Sequence, residues 1–199
     1  MVDTPQGISV SCLDDRICVR VVGRGTFQNC QPLRQFVLER IERGQHEFVV
    51  DLGQCQGMDS TFLGVLGGLG LRLQDMGYPS AIHVINASPR HAELLQTLGL
   101  DRLLDIKPGG QTLLDDAEFR PLPDADVTRL AHPLTKDEAA DLILEAHDNL
   151  IRADERNAPQ FKELTNSLRE ALERRRAHGK NKESTRRIAP GDSEADTSG

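Results

Sequence analysis

The fold of this chain is decided by residues 49–64, VVDLGQCQGMDSTFLG. This stretch begins within an apolar run at residues 48–52 that is too short for a helix and predicts a buried central strand. A short loop then leads to Asp-Ser-Thr at residues 59–61, which predicts the start of a helix that ends at Gly77. The segment therefore presents a hydroxyl side chain at a helix N-terminus, directly after a buried strand.

The segments on either side predict a mixed α/β domain. Apolar residues alternate with polar ones over 8–12 and 17–21, which predicts a β-hairpin with one buried face. The other predicted elements are a helix over 33–41, a strand over 81–85, a helix from Ser88-Pro89 to Gly99, a strand over 103–106 and a short helix after Gly110. The order β-β-α-β-α-β-α-β-α, from residue 7 to about 118, predicts a mixed β-sheet with helices packed on it.

Four glycines interrupt the helix that begins at the Asp-Ser-Thr motif, namely Gly64, Gly67, Gly68 and Gly70. At roughly 1 kcal/mol each relative to alanine, they lower the stability of this helix by about 3 to 4 kcal/mol. They do not follow a strand, as the glycines of a dinucleotide-binding fingerprint must. We therefore expect another segment to pack closely against this helix.

The chain continues beyond this domain, which is expected to span residues 1–119. Residues 120–133 are rich in proline and acidic residues without apolar periodicity, and they predict a linker. A Thr-Lys-Asp-Glu capping box at residues 135–138 opens a helix and a second helix follows, so residues 134–179 predict a helical hairpin. The charged residues 180–199 predict a disordered tail.

Composition and charge argue against several classes of protein. The net charge of −7 gives the chain no general attraction to nucleic acid or to an anionic membrane. No stretch approaches the roughly 18 apolar residues of a membrane span, and the N-terminus lacks the features of a signal peptide, so we expect a cytoplasmic protein. The four cysteines, Cys12, Cys18, Cys30 and Cys55, form no Cys-x-x-Cys pair. We expect small buried thiols and no metal or cofactor site.

The strand followed by Asp-Ser-Thr resembles the motif of the STAS domain, and within that family the motif of the anti-sigma factor antagonists, which is of the type Asp-Ser-Ser-Gly-Leu-Gly. The resemblance covers about residues 7 to 107, including the order of the strands. It implies a phosphorylation-switched module that regulates transcription by partner switching. The unphosphorylated form sequesters an anti-sigma factor that is also a serine kinase, this kinase phosphorylates the motif serine, here Ser60, and a PP2C-type phosphatase reverses the modification.

The resemblance also implies a partner surface around Ser60. Its expected members are Asp59, Phe62, Arg24 and Thr26. Structural alternatives stay open, because Asp59 or Ser60 could simply cap the helix, and Phe62, which stands where the family commonly has glycine, could pack inward. Arg24 could be a solvated turn residue, and Thr61 is the alternative phosphoacceptor.

Other functions fit the sequence less well. Residues 57–60 do not form the Gly-x-Ser-x-Gly elbow of hydrolases, and the sequence ties none of His46, His83 or His91 to Ser60, so we assign no catalytic residue. A second hypothesis is a non-switching STAS scaffold of a signalling assembly, in which the hairpin mediates homo-oligomerisation. A nucleic-acid partner would use the basic stretch at residues 169–187, which has no interleaved aromatic side chains for base stacking.

Overall fold

A computed structural model describes residues 6–13, 16–108, 114, 118–122 and 134–187 of the chain, with side chains up to residue 177. The strands are β1 (Gly7–Leu13), β2 (Arg16–Gly25), β3 (Glu47–Asp51), β4 (Cys55–Met58), β5 (Ile82–Ala87), β6 (Asp105–Pro108) and β7 (Arg120–Pro121). The helices are α1 (Phe27–Glu42), α2 (Ser60–Asp75), α3 (Pro89–Thr97), α4 (Lys136–Ala153) and α5 (Ala158–Arg187), with 3-10 turns at Leu100–Arg102 and Glu155–Asn157. The helix expected after Gly110 and residues 123–133 and 188–199 lie outside the described residues.

The strands form one mixed sheet in the order β6-β5-β3-β2-β1-β7, and β4 pairs with the end of β2. β2 is antiparallel to β1 and parallel to β3, while β5 and β6 continue the parallel set. Successive residues of a strand point to opposite faces, so Ile17, Val19 and Val21 join the main core with Phe36 of α1 and Leu66 of α2. The predicted mixed sheet with helices packed on it is confirmed.

Residues 55–58, which we expected to lie in a loop, form the short strand β4. Its backbone pairs in parallel with the last residues of β2, and the register places Gly25 opposite Met58. No pattern in the local sequence predicts this strand, because its pairing depends on how far β2 extends past β3. The pairing brings the start of α2 next to the start of α1.

A buried carboxylate shapes the turn between β3 and β4. Asp51 is only 5% exposed, and its Oδ1 accepts hydrogen bonds from the backbone nitrogen of Gly53 at 3.0 Å and from Nδ2 of Asn86 at 2.9 Å. Its Oδ2 accepts a hydrogen bond from Nε of Arg20 at 2.9 Å. A buried carboxylate requires such partners, and together they hold this turn in one shape.

The glycine face of α2 packs against two other elements, as the sequence predicted without naming them. A Cβ atom built on Gly64 would lie 2.1 Å from the carbonyl oxygen of Ala146 in α4, and one on Gly68 would lie 2.2 Å from Nδ2 of Asn149. Built Cβ atoms on the remaining two glycines would contact the segment at residues 100–104. The missing side chains therefore allow α4 to approach the backbone of α2.

The α4–α5 hairpin shares the core of the domain. Leu142, Ala146, Leu150 and Phe161 belong to the same buried cluster as the sheet and the helices α1 and α2. At the hairpin turn, Nδ2 of the buried Asn157 donates to the carbonyl oxygen of Leu98 at 3.0 Å and to that of Leu150 at 2.8 Å. These bonds fasten the turn of the hairpin to the end of α3.

The expected boundaries between segments differ from the observed elements in two places. β7, at the start of the expected linker, pairs with β1, and α5 continues past residue 179 to Arg187 as a helix. That residues 1–119 fold without the hairpin stays a prediction.

We expect the substitution Gly64→Ala to lower the free energy of unfolding by about 1–3 kcal/mol, even though alanine raises helix propensity by about 1 kcal/mol. The added Cβ would collide with the backbone oxygen of Ala146, which moves only with α4. The matched control is Gly68→Ala, whose Cβ meets the end of the Asn149 side chain, which can rotate away. Urea denaturation compares the two variants, and equal stabilities would contradict the backbone contact.

Asp154 makes the stability of the hairpin turn dependent on pH. Hydrogen bonds from the Arg156 side chain lower the pKa of Asp154 to about 2. The unfolded value is about 3.9, so the carboxylate stabilises the fold above about pH 4 and this contribution is lost as the pH falls towards 2. We expect Asp154→Asn to lose less stability than the wild type between pH 4 and pH 2 in urea unfolding. Parallel losses in the two proteins would contradict this assignment.

Candidate functional site

The start of α2 is held in place by the side chain of Asp59, its N-cap residue. Oδ1 of Asp59 accepts a hydrogen bond from the backbone nitrogen of Phe62, and Oδ2 accepts one from the backbone nitrogen of Phe27, both at 2.8 Å. The backbone nitrogen of Asp59 donates to the carbonyl oxygen of Gly25 at 3.0 Å. One carboxylate thus caps α2 and also accepts a hydrogen bond from a backbone N–H group in the first turn of α1.

Ser60 is the first residue of α2, and its hydroxyl contacts the helical hairpin. Its Oγ lies 2.9 Å from Nε2 of His147 in α4. Nδ1 of the same ring lies 2.7 Å from the carbonyl oxygen of Ile143, which can only accept. In the neutral ring Nδ1 therefore carries the proton, and Ser60 donates its hydroxyl proton to Nε2.

His147 is buried, with 3% of its surface exposed, and its ring packs on that of Phe161 in α5 with 4.9 Å between the ring centroids. It was not among the candidate site residues predicted from the sequence. A signal was present, since His147 lies four residues after Ile143 and three before Leu150, on the apolar side of α4. Nothing in that spacing points to Ser60, which is 87 residues away.

The other candidate phosphoacceptor differs from Ser60 in exposure. Thr61 is 6% exposed, whereas Ser60 is half-buried at the surface of the domain. Of the two hydroxyls, that of Ser60 is therefore the one closer to the reach of another protein.

The expected partner surface is only partly at the surface. Phe62 is 0% exposed, and a Cβ atom on Gly25 would lie 2.8 Å from its ring. Its inward packing corrects the expectation that it anchors a partner, because the closely passing end of β2 leaves it no path to solvent. Arg24 is exposed and lies beside Gly57, and Thr26 is the half-buried N-cap of α1. The structure brings Arg24, Thr26 and Asp59 to the same edge as Ser60.

Burial makes the thiols of Cys18, Cys30 and Cys55 poor nucleophiles. Burial, followed by the nearby Asp59 carboxylate, raises the pKa of Cys30 to about 12. Burial also raises the pKa of Cys18 and of the half-buried Cys55. The expectation of buried thiols is wrong for Cys12, which lies exposed near the end of β1.

In the described part of the chain, no three His, Cys, Asp or Glu side chains are grouped so that they could share a metal ion. No helix of the described residues is long and apolar enough to cross a membrane.

In a comparison with known protein families, residues 8–105 match the family model described as Mlab, STAS domain. No curated protein matches the chain. Among solved structures, the anti-sigma factor antagonist SpoIIAA in its unphosphorylated form is 14% identical, with a TM-score of 0.45 over 52% of this chain and 90% of that one. The Bacillus cell fate determinant SpoIIAA in its phosphorylated form is 16% identical, with a TM-score of 0.46 over 55% of this chain and 97% of that one.

We expect Asp59→Ala to lower the free energy of unfolding by about 1–2 kcal/mol, because it leaves backbone N–H groups of two helices without their acceptor. The matched control is Ser88→Ala, which removes a cap that serves α3 alone through a 3.2 Å hydrogen bond from His91. Urea denaturation should show the larger loss for Asp59→Ala. A smaller loss than for Ser88→Ala would contradict the double capping role.

Proposed function

We propose that this chain, whose residues 8–105 match the STAS domain family model, is a phosphorylation-switched protein-binding module. In its unphosphorylated form it binds and sequesters an anti-sigma factor that is also a serine kinase, and so regulates transcription in the cytoplasm. The observation that carries the proposal is the position of Ser60, whose hydroxyl stands at the first residue of α2 beside the loop between β2 and α1.

The position of Ser60 suits a reversible phosphate. In the kinase reaction Oγ forms a bond to the γ-phosphorus of ATP, the bond from that phosphorus to the bridging oxygen breaks, ADP leaves, and a base of the kinase takes the hydroxyl proton. The positive end of the α2 dipole stabilises the added anion, while the adjacent Asp59 carboxylate repels it. A PP2C-type phosphatase hydrolyses the ester and restores the hydroxyl.

The added charge acts on binding more than on the fold. A phosphate brings about −1.5 to −2 charges, and an unpaired charge of this kind in a protein interface weakens binding by about 2–5 kcal/mol. That range corresponds to a loss of affinity of roughly thirtyfold to several thousandfold. Arg24, Thr26 and Asp59 lie around Ser60 and complete the proposed contact surface, with Phe62 supporting it from below.

The hydrogen bond between Ser60 and His147 does not make a hydrolase of this chain. The second nitrogen of His147 is bonded to the backbone oxygen of Ile143 and has no carboxylate to orient and charge the ring, as a catalytic triad requires. STAS domains of the anti-sigma factor antagonist type are generally non-enzymatic binding modules, which supports a binding role.

We expect Ser60→Ala to bind its partner constitutively and to accept no phosphate, and Ser60→Asp to fold and bind poorly. The measurement is a pull-down with mass spectrometry, followed by phosphate transfer from radiolabelled ATP by the captured kinase. Thr61→Ala is the matched control and should incorporate phosphate as the wild type does.

Two results would contradict the proposal. Incorporation that persists in Ser60→Ala and vanishes in Thr61→Ala would move the phosphoacceptor to Thr61. Absence of incorporation in all variants, with a functional kinase bound, would favour the non-switching scaffold, in which the hairpin mediates homo-oligomerisation.

A further inference from the structure

We infer that the α4–α5 hairpin is an intramolecular cover for Ser60, and that phosphorylation of Ser60 and docking of the hairpin oppose each other. The inference rests on the proposed function in taking Ser60 as the phosphoacceptor. It adds a regulatory element outside the family match, since α4 and α5 lie beyond residue 105.

Three contacts hold α4 over the start of α2. Oγ of Ser60 lies 2.9 Å from Nε2 of His147, the backbone of Gly64 meets that of Ala146, and Nη2 of Arg34 in α1 donates to both carboxylate oxygens of Glu145 at 2.7 and 2.9 Å. The α4 residues of the last two contacts, Ala146 and Glu145, directly precede His147. Docking of α4 therefore places a buried ring against the hydroxyl that a kinase would have to reach.

While the hairpin is docked, the hydroxyl of Ser60 is not available for phosphoryl transfer. A kinase needs the serine oxygen within about 3–3.5 Å of the γ-phosphorus and its proton within reach of the kinase's own base. In the docked state, with the His147 ring neutral, the hydroxyl proton lies in the hydrogen bond from Oγ to Nε2 of His147, whose two atoms are 2.9 Å apart. Separation of α4 from α2 frees both the proton and the approach to the oxygen.

Phosphorylation in turn removes what holds the cover. The hydroxyl proton that Ser60 donates in this hydrogen bond is lost when the phosphate ester forms. The buried Nε2 of His147 would then face the ester oxygen Oγ, which cannot donate. A buried acceptor without a donor is unfavourable, and a phosphoryl group on Oγ does not fit in the 2.9 Å that separates Oγ from Nε2.

α4 buries Leu142, Ala146 and Leu150 in the core, but its edge beside α1 is partly open to water. An open cleft of about 480 Å³ runs beside it, lined by residues of α1, α2 and α4 that include Arg34, Gly68 and Glu145. The Arg34–Glu145 pair is partly exposed, with 32% and 49% of the two side chains accessible, so water competes for it. By thermodynamic linkage, the factor by which docking of the hairpin disfavours phosphorylation equals the factor by which phosphorylation disfavours docking.

The test uses the full chain with phosphoserine inserted at position 60 during translation, so that no kinase is needed. Hydrogen–deuterium exchange is followed by mass spectrometry for α4 and α5, with β2 and β3 as the reference for an intact domain. We expect exchange in α4 and α5 to rise about tenfold or more, within the usual range of such couplings, while β2 and β3 keep their protection.

The matched control carries phosphoserine at Ser88, another serine at a helix N-terminus, which contacts His91 within α3 and no part of the hairpin in the described structure. It should exchange as the wild type does, and Ser60→Ala, which removes the donor without adding charge, should give a smaller rise than phosphoserine at 60. Gly64→Ala serves as the positive control for a displaced hairpin.

Equal exchange of α4 in the two phosphorylated proteins would overturn the inference, and so would a rise that includes β2 and β3. The proposed function is judged separately by the pull-down. If the hairpin is released but no kinase is captured, the inference about the hairpin is supported and the anti-sigma factor partner is rejected. If the kinase is captured but phosphoserine at position 60 does not release the hairpin, the proposed function is supported and the inference about the hairpin is rejected.

Discussion

The contact between the backbone of Gly64 and the carbonyl oxygen of Ala146 is the constraint on which the arrangement of the site depends. A side chain at residue 64 would occupy the place of that oxygen, so α4 can lie on α2 only because the residue is glycine. Ser60 lies one helical turn before Gly64 on the same face, and His147 follows Ala146 directly. The close approach of the two helices therefore carries His147 to the hydroxyl of Ser60.

Hydrogen bonding at the start of α2 is divided between a fixed part and an exchangeable part. The carboxylate of Asp59 binds backbone groups of both α1 and α2, and neither bond involves the hydroxyl of Ser60. The hydroxyl of Ser60 instead shares its proton with a side chain from a distant segment. The same helix terminus can thus keep its structure while the bond to the hairpin forms or breaks.

Charge is distributed unevenly between the two helices of the hairpin. Among the described side chains, three ion pairs join acidic residues of α4 to basic residues of α5, namely Arg169 with Asp148, Arg175 with Asp137 and Arg176 with Asp141. Exposed pairs of this kind contribute about 0–1 kcal/mol each, so the apolar contacts of the hairpin carry most of its stability. The pairs align the two helices, and they keep the basic part of α5 next to its own acidic neighbour.

Elements whose signals lie within a few consecutive residues could be predicted from the sequence. The alternation in β2, the caps Asp59 and Ser88, and the capping box at Thr135 predicted strands and helix starts where the structure has them, because a cap or a period acts within a few residues. The glycines of α2 predicted close packing but not its partner. Tertiary structure alone decided that residues 55–58 pair with β2, that Phe62 turns inward beneath Gly25, and that His147 meets Ser60. Each of these depends on which surfaces come together when distant segments pack, and no pattern within one segment specifies a neighbour 87 residues away.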